Sequence, residues 1–494
     1  MSHTIDHRNK PLSTIKPLLA LRAKCIPLAI VAALSILTGC AVGPTYERPI
    51  TAQPASYKQA EGWLPAAPAD TLERGPWWQL FGDPVLNQMA DSIEVSNQNV
   101  AAAIASYAQA RALVREQRAA LFPSVDLSGS ANRSGGGQSS VTSTATGTLG
   151  GGGASNQFRS SIGASWEPDI WGRLRAGVAG ANAGLDASAA DLAAARLSAQ
   201  GELAINYFSL RQTDAQQVLL EATVQGYQRV LQITRNRFEA GIAANADLLQ
   251  AQTQLANTQA DAVGLVRQRA QFEHAIAILL GKAPADFSLA SAPWTVAVPS
   301  IPVGLPSTLL QRRPDIAAFE RRVALANEQI GIARSAYFPS LNLTGSYGFG
   351  ASEVAALFSA ASSVWAIGAQ TALNLFDAGA TSARVDAARA AHAVTVAQYR
   401  QSVLTAFADV ENQLAATRAL MQQQELRRIA SSSADQVEEQ MLNRYRAGQV
   451  GYTDVVTAQV TALTARRALV QLQADRQTTA VALIQSLGGG WSAQ

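Results

Sequence analysis

Few side chains in this sequence are placed to do chemistry, and the clearest of them is a thiol. Cys40 ends the stretch Leu37-Thr38-Gly39-Cys40, which follows a basic leader and an apolar run from Ile26 to Leu37. That run is too short to cross a bilayer as a helix and reads as a cleavable secretion signal. Leucine, two small residues and cysteine have the form of a bacterial lipobox, with cleavage before Cys40 and acylation of its sulfur. The plainer alternative is an ordinary signal peptide beside a chance cysteine; Thr38 and Gly39 favour the lipobox. Cys25 leaves with the leader, so no internal disulfide is expected. Lipid on one residue tethers weakly, and a second membrane element is expected beside it.

The other reactive types are scattered. Of the four histidines, His274 and His392 lie beyond the leader, each in a helical pattern without a second ligand at i+4. They read as helix-packing or surface residues. Glu438-Glu439 falls on a helix as a solvated pair. Gly151-Gly152-Gly153 has no Lys-Ser/Thr behind it and is no phosphate loop. The sequence therefore implies no catalytic residue, metal site or cofactor. Its formal charge of +3 comes from Arg8, Lys10, Lys16, Arg22 and Lys24 in the leader, against Asp6 alone. Beyond the leader the charges nearly balance, which removes the electrostatic motive for nucleic-acid binding.

Two further carboxylates gain meaning from repetition. Arg444-Tyr445-Arg446-Ala447-Gly448 is followed by Asp454-Val455-Val456 and Gln459. Arg237-Phe238-Glu239-Ala240-Gly241 is followed by Asp247-Leu248-Leu249 and Gln252, at a constant offset of 207 residues. A long helical pattern precedes each copy and a shorter one follows. Glycine lets a helix stop and the chain reverse, and aspartate suits the start of the returning helix. Each copy reads as the tip of a helical hairpin.

The elements that must position these tips also come in pairs. Phe122-Pro123-Ser124-Val125-Asp126-Leu127 returns as Phe338-Pro339-Ser340-Leu341-Asn342-Leu343, and after each the period becomes two. Val125, Leu127 and Ala131 alternate with Ser124, Asp126, Ser128 and Ser130. Leu341, Leu343, Tyr347 and Phe349 alternate with Asn342, Thr344 and Ser346. Partner strands carry Phe158, Ile162, Ala164 and Trp166, then Trp365, Ile367, Ala369, Leu373 and Leu375. Alternating segments of this length with aromatics near their ends suit transmembrane β-strands. A half-buried hairpin on a soluble core is the alternative, but the polar faces lack large apolar residues and Cys40 already places the chain at a membrane. The first pair carries an extra Gly/Ser/Thr-rich loop from about 134 to 155.

Helical periodicity then spans about 175–238 and 382–445, each about 95 Å if helical throughout. Val224, Tyr227, Leu231 and Phe238, and Val403, Ala406, Val410 and Leu420, recur at coiled-coil spacing. The expected organisation is a leader at 1–39, an extended wrapping segment at 40–82, a first repeat at 83–281, a Pro-rich linker at 282–306, a second repeat at 307–488 and a tail at 489–494. The β-hairpins are expected at about 124–167 and 340–376, the tips at 237–247 and 444–454. A single helix is expected from Asp83-Pro84 to about Leu121. Four strands per chain cannot close a barrel, and open edges cannot sit in lipid. Several copies are required: a dimer gives eight strands, a trimer twelve.

Several long motifs carry a resemblance: Cys40-Ala41-Val42-Gly43-Pro44-Thr45-Tyr46, Trp77-Trp78-Gln79-Leu80-Phe81-Gly82-Asp83-Pro84, Gly304-Leu305-Pro306-Ser307 through Arg312-Arg313-Pro314-Asp315-Ile316, and both Phe-Pro-Ser entries into the strands. In order and over essentially the whole chain beyond the leader, these resemble the TolC-like outer-membrane factor family, in its NodT-type lipoprotein branch. The resemblance implies a mixed α and β membrane protein. It would be a homotrimer with a twelve-stranded outer-membrane β-barrel continued by a long periplasmic α-helical barrel. It also implies a periplasmic adaptor, an inner-membrane pump of the resistance-nodulation-division class, and passive exit of small molecules. Within that resemblance Asp454 matches a gate-ring aspartate, with Asp247 its counterpart. Arg237, Gly241, Arg444 and Gly448 shape the turns that would face the adaptor. Thr457 and Gln250 stand where some relatives carry a second acid. Two other readings stay open from sequence: an exit duct for secreted polypeptides, and a non-conducting envelope lipoprotein.

Overall fold

The period-two segments form one antiparallel sheet in the computed structural model. The model describes residues 42–51, 54, 56–58, 76–135, 154–294, 297–299, 301 and 312–489. The lipobox with Cys40, most of the Gly/Ser/Thr-rich loop, the motif at Gly304 to Ser307 and the C-terminal tail beyond 489 lie outside them. The sheet runs β1 (Ser124–Ser134), β2 (Ser155–Trp166), β3 (Ser340–Ala351), β4 (Ser363–Ala372) in that order. Register sorts the side chains cleanly. Leu127 lies opposite Ile162, Ile162 opposite Tyr347, and Tyr347 opposite Trp365. Val125, Ala164, Gly345 and Ile367 form the next row of the same face. The other face carries Ser124, Ser165 and Thr344 in one row. There Ser124 pairs with Ser165, and Ser128 with Ser161, through hydroxyls 2.8 Å apart. Ile367 and Trp365 are 83% and 73% exposed on the apolar face, which suits hydrocarbon and not water. Strand β4 ends at Ala372, so Leu373 and Leu375 lie beyond it. Asp377 takes over there, accepting from the Gly379 and Thr381 amides at 3.0 and 2.7 Å to start the next helix.

The chain forms two compact units, one containing the sheet and its flanking helix ends, the other most of the helical residues. In chain order the helices are α1 (Pro84–Ser96), α2 (Gln98–Ala119), α3 (Arg173–Glu239), α4 (Asn245–Leu279), α5 (Pro314–Ser335), α6 (Ala380–Arg446) and α7 (Tyr452–Ser486). Helices α3 and α6 have 67 residues each, or about 100 Å of rise. None of the described helices is long and apolar enough to cross a membrane. At the coiled-coil positions, Tyr227, Val403, Ala406 and Val410 are buried.

The first helix departs from expectation. It breaks at Asn97, whose extended backbone separates α1 from α2. The Asn97 side chain accepts from the Asn99 and Val100 amides and donates to the Leu279 carbonyl at the end of α4. One residue thus caps α2 and ties it to the returning helix, which offsets the interrupted helical ladder. Gly281 closes this junction, because a Cβ there would lie 2.1 Å from the Ser96 carbonyl oxygen.

Within the helical unit, a buried charge network fixes the chain after α4. Arg211 and Arg269 both donate to Asp214, at 3.1 and 2.7 Å. Arg211 also donates to the Ala290 carbonyl, Arg269 to the Leu289 carbonyl, and Glu273 accepts from the Leu289 amide. Nearby, Tyr207 donates to Asp83, which caps α1, and Phe81 packs on Phe208 at 4.9 Å. The Trp77–Phe81 turn is thereby seated on α3.

Two outcomes test this architecture. Leu343→Arg or Ile367→Arg puts a charge on the lipid face at a cost of roughly 2–4 kcal/mol at mid-bilayer, and should lower the yield of membrane-assembled protein. Asn342→Arg or Thr344→Arg should be tolerated, and equal losses in both sets would refute the facing. Asp214→Ala strands two guanidiniums and should cost about 3–5 kcal/mol, read as a lower thermal midpoint.

Candidate functional site

The repeated tips are built alike because the same residue types stop both long helices. At the first, the Ile242 amide donates to the Arg237 carbonyl at 2.8 Å and Gly241 to Phe238 at 2.9 Å, with Gly241 at φ +71°. At the second, Gln449 donates to Arg444 and Gly448 to Tyr445, both at 2.9 Å, with Gly448 at φ +75°. This is the Schellman arrangement, and the left-handed residue in its centre is the one glycine fills without strain. Three residues then lead from each glycine into α4 or α7, ending at Ala244 or Gly451. Neither of these capping positions receives a side-chain hydrogen bond.

Asp247 and Asp454 are therefore not the caps that the spacing suggested. Each sits in the first turn, at the third helical residue, where a carboxylate favours the positive end of the helix dipole instead. Asp454 is exposed and Asp247 is half-buried. The difference follows from Tyr452, which is buried beside Asp247. Burial, with Tyr445, Tyr227 and Asp247 nearby, pushes the Tyr452 phenol well above its usual range, so it stays neutral.

The four tip residues have unequal surroundings. Arg237 reaches across to the second hairpin, donating to the Tyr445 carbonyl at 2.8 Å and the Arg446 carbonyl at 3.2 Å. Its guanidinium lies over the Tyr445 ring at 4.7 Å, and Tyr445 packs edge-on against Tyr452 at 5.5 Å. The Tyr445 hydroxyl meets Thr234 Oγ1 at 3.3 Å. Val230, Ala251 and Val455 complete this buried cluster. Arg237 thus caps the carbonyl end of α6, a stabilising use of a cation. Arg444 stands at the equivalent place in the second repeat, yet it is exposed and has no partner among the described residues. Further along, Arg466 of α7 holds Asp435 and Glu438 of α6 at 2.7 and 2.8 Å. Burial pushes the Glu438 carboxyl up, and Arg466 opposes that shift.

Sequence reasoning found the glycines, arginines and aspartates but missed Tyr452 and Thr234. Their signal was available: Tyr452 replaces Asn245 and Thr234 replaces Met441 at the repeat offset. The arrangement holds no nucleophile paired with a base. Among the described residues no three His, Cys, Asp or Glu side chains gather as a metal site. What it offers is a set of four helix ends locked by backbone-directed contacts, with the exposed carboxylate of Asp454 beside them.

Comparison with known proteins agrees with a channel. The model of the family described as Outer membrane efflux protein matches residues 89–282 and 305–489, one match in each repeat. The antibiotic efflux pump outer membrane protein ArpC of Pseudomonas putida is 31% identical over 94% of this chain and 96% of its own. The toluene efflux pump outer membrane protein TtgC of Pseudomonas putida is 30% identical with the same coverage. The solved outer-membrane channel OprN superposes with a TM-score of 0.82 at 30% identity, covering 92% of this chain and all of that one. The long helices and four strands match that channel fold, and the match in two parts agrees with an internal repeat. The chain belongs to the Outer membrane efflux protein family: it is an outer-membrane efflux channel extending into the periplasm, and not an enzyme.

Proposed function

We propose that three copies of this chain close a twelve-stranded barrel and a helical duct, anchored by acylated Cys40. Small molecules would leave through it passively, delivered by an inner-membrane pump of the resistance-nodulation-division class through a periplasmic adaptor. The observation that carries this reading is the open sheet. It has one apolar face, one serine-rich face, and two edges, β1 and β4, that pair with no strand among the described residues. Backbone groups left open in hydrocarbon cost several kcal/mol each, so such a sheet is stable there only when closed. Relatives of nearly equal identity carry the words antibiotic and toluene in their names. That supports small molecules as cargo, selected upstream by the pump. Export of polypeptides has no comparable observation behind it.

In this reading the turns around Gly241 and Gly448, with Arg237 and Arg444 behind them, face the adaptor. Three copies of Asp454 would ring the periplasmic opening and favour cations there; half-buried Asp247 contributes less. Purified protein in planar bilayers should conduct ions as a trimer, and a protein that never conducts would return the non-conducting lipoprotein reading. Asp454→Ala should weaken cation selectivity, or block by multivalent cations added on the periplasmic side, with the trimer intact. Asp247→Ala should change both less, and unaltered selectivity and block in Asp454→Ala would move the gate elsewhere. Cys40→Ser should abolish acyl labelling while the barrel still assembles.

A further inference from the structure

The barrel proposed above turns its serine-rich face to the lumen, so the few charges on that face set the field inside it. Alternation along the four strands places Asp126 and Arg159 there and no other ionisable side chain. Resting on that barrel, we infer that Arg159 of the three copies forms an anion-binding collar inside the outer mouth. Its ligands are solutes that carry phosphate, sulfate or several carboxylates. The collar holds such anions and turns back cations that approach from the exterior.

Topology fixes which end Arg159 occupies. The strands run into the helices at one end, and at the other they join in pairs through residues 135–154 and 352–362. In an outer-membrane channel that extends into the periplasm, the ends away from the helices face outward. Arg159 is the fifth residue of β2 counted from that outer end, opposite Ser130 on β1 and Gly350 on β3. Asp126 lies four residues nearer the helices than Ser130, about 14 Å along the strand. That exceeds the screening length of about 10 Å at 0.1 M salt, so Asp126 does not neutralise the collar.

Nothing in the chain claims the charge. Arg159 is exposed, and among the described residues no side chain or carbonyl holds its guanidinium. Its stem passes over β3, where a Cβ at Gly350 would lie 3.8 Å from the Arg159 Cγ. Residues 136–153, between β1 and β2, contain no Asp, Glu, Lys, Arg or His. Between β3 and β4 the sequence holds one acid, Glu353, which is exposed and forms no ion pair with Arg159. The N–H donors of the guanidinium are therefore left for a solute.

The residue type decides the ligand class. A guanidinium presents paired donors that match oxyanions, and a ring of arginines favours anions in a pore. Low-dielectric walls focus the field of three like charges on the water between them. Ser130 and Ser161 share the face beside Arg159 and add hydroxyl donors for the same oxyanion. Arg133 is the contrasting case. It stands at the same end but on the apolar face, opposite Asn156, where lipid phosphate and not a lumen solute is within reach. With the cation-favouring ring proposed at Asp454, the duct would carry opposite preferences at its two ends.

Sided block of the full, acylated protein in planar bilayers tests the collar. None of the described helices is apolar enough to cross a bilayer, so protein added to one chamber leaves its strand connections facing the other. Inorganic tripolyphosphate in that far chamber, at about 0.1 M salt, should block the wild-type current. Arg159→Ser should raise the half-blocking concentration roughly tenfold or more, and Arg159→Lys should recover most of the loss. Arg159→Gln, which keeps the stem over Gly350, should behave like Arg159→Ser and replaces it if the serine variant assembles poorly. Asp126→Ser and Arg133→Ser should leave the block within about twofold of wild type. Loss of block in Arg133→Ser instead would place the anion at lipid headgroups and overturn the collar. Conducting channels that tripolyphosphate leaves open, or blocks equally with and without the Arg159 guanidinium, would overturn the collar and leave the trimeric duct standing. Trimers that never conduct would overturn both.

Discussion

Hydrocarbon offers no hydrogen bonds, and a four-stranded sheet ends in two rows of unpaired amides and carbonyls that must find partners somewhere. Most other features of this chain follow from that requirement. The sheet separates an apolar face from a serine-rich one across all four strands, which suits a wall between lipid and water. In the proposed trimer such a wall, made from a few strands per chain, is completed by copies of the chain. Copies arranged around one axis also give helices as long as α3 and α6 neighbours on both sides, which one chain cannot supply.

The duplication shows how one design is used twice without becoming two-fold symmetric. Backbone-directed features are kept at both tips: the Schellman turns, the glycines at φ +71° and +75°, the arginines and the first-turn aspartates. Side-chain partnerships have diverged. Tyr445, Tyr452 and Thr234 gather into a buried polar-aromatic cluster where the repeats meet in one chain, while Phe238, Asn245 and Met441 stand at the matching positions. A contact to a carbonyl depends only on helix geometry. A contact between two side chains holds only while both are retained.

Charge serves structure in this protein. The buried Asp214 network ties the residues after α4 to α3, and Arg313 bridges Asp315 and Asp409. Asp214 and Arg211 are desolvated and costly to bury unless paired, whereas Asp315 and Asp409 meet Arg313 from partly exposed positions.

The sequence alone determined the class of each element. Periods of two and of about 3.6, the Phe-Pro-Ser entries and the 207-residue offset are local patterns, and local backbone preference suffices to read them. It also marked the glycines that reverse the chain, because a left-handed residue can be recognised from its type. Tertiary structure decided what local pattern does not encode. The break at Asn97 exists because its side chain reaches Leu279, 182 residues away. Asp454 and Asp247 have the spacing of caps, but the approach to each return helix shifts them to the third position. Arg237 and Arg444 are the same residue in the same motif, and only packing distinguishes them. One caps a helix of its own chain, while the other is left facing solvent, because a chain with two hairpins has only one place where first meets second.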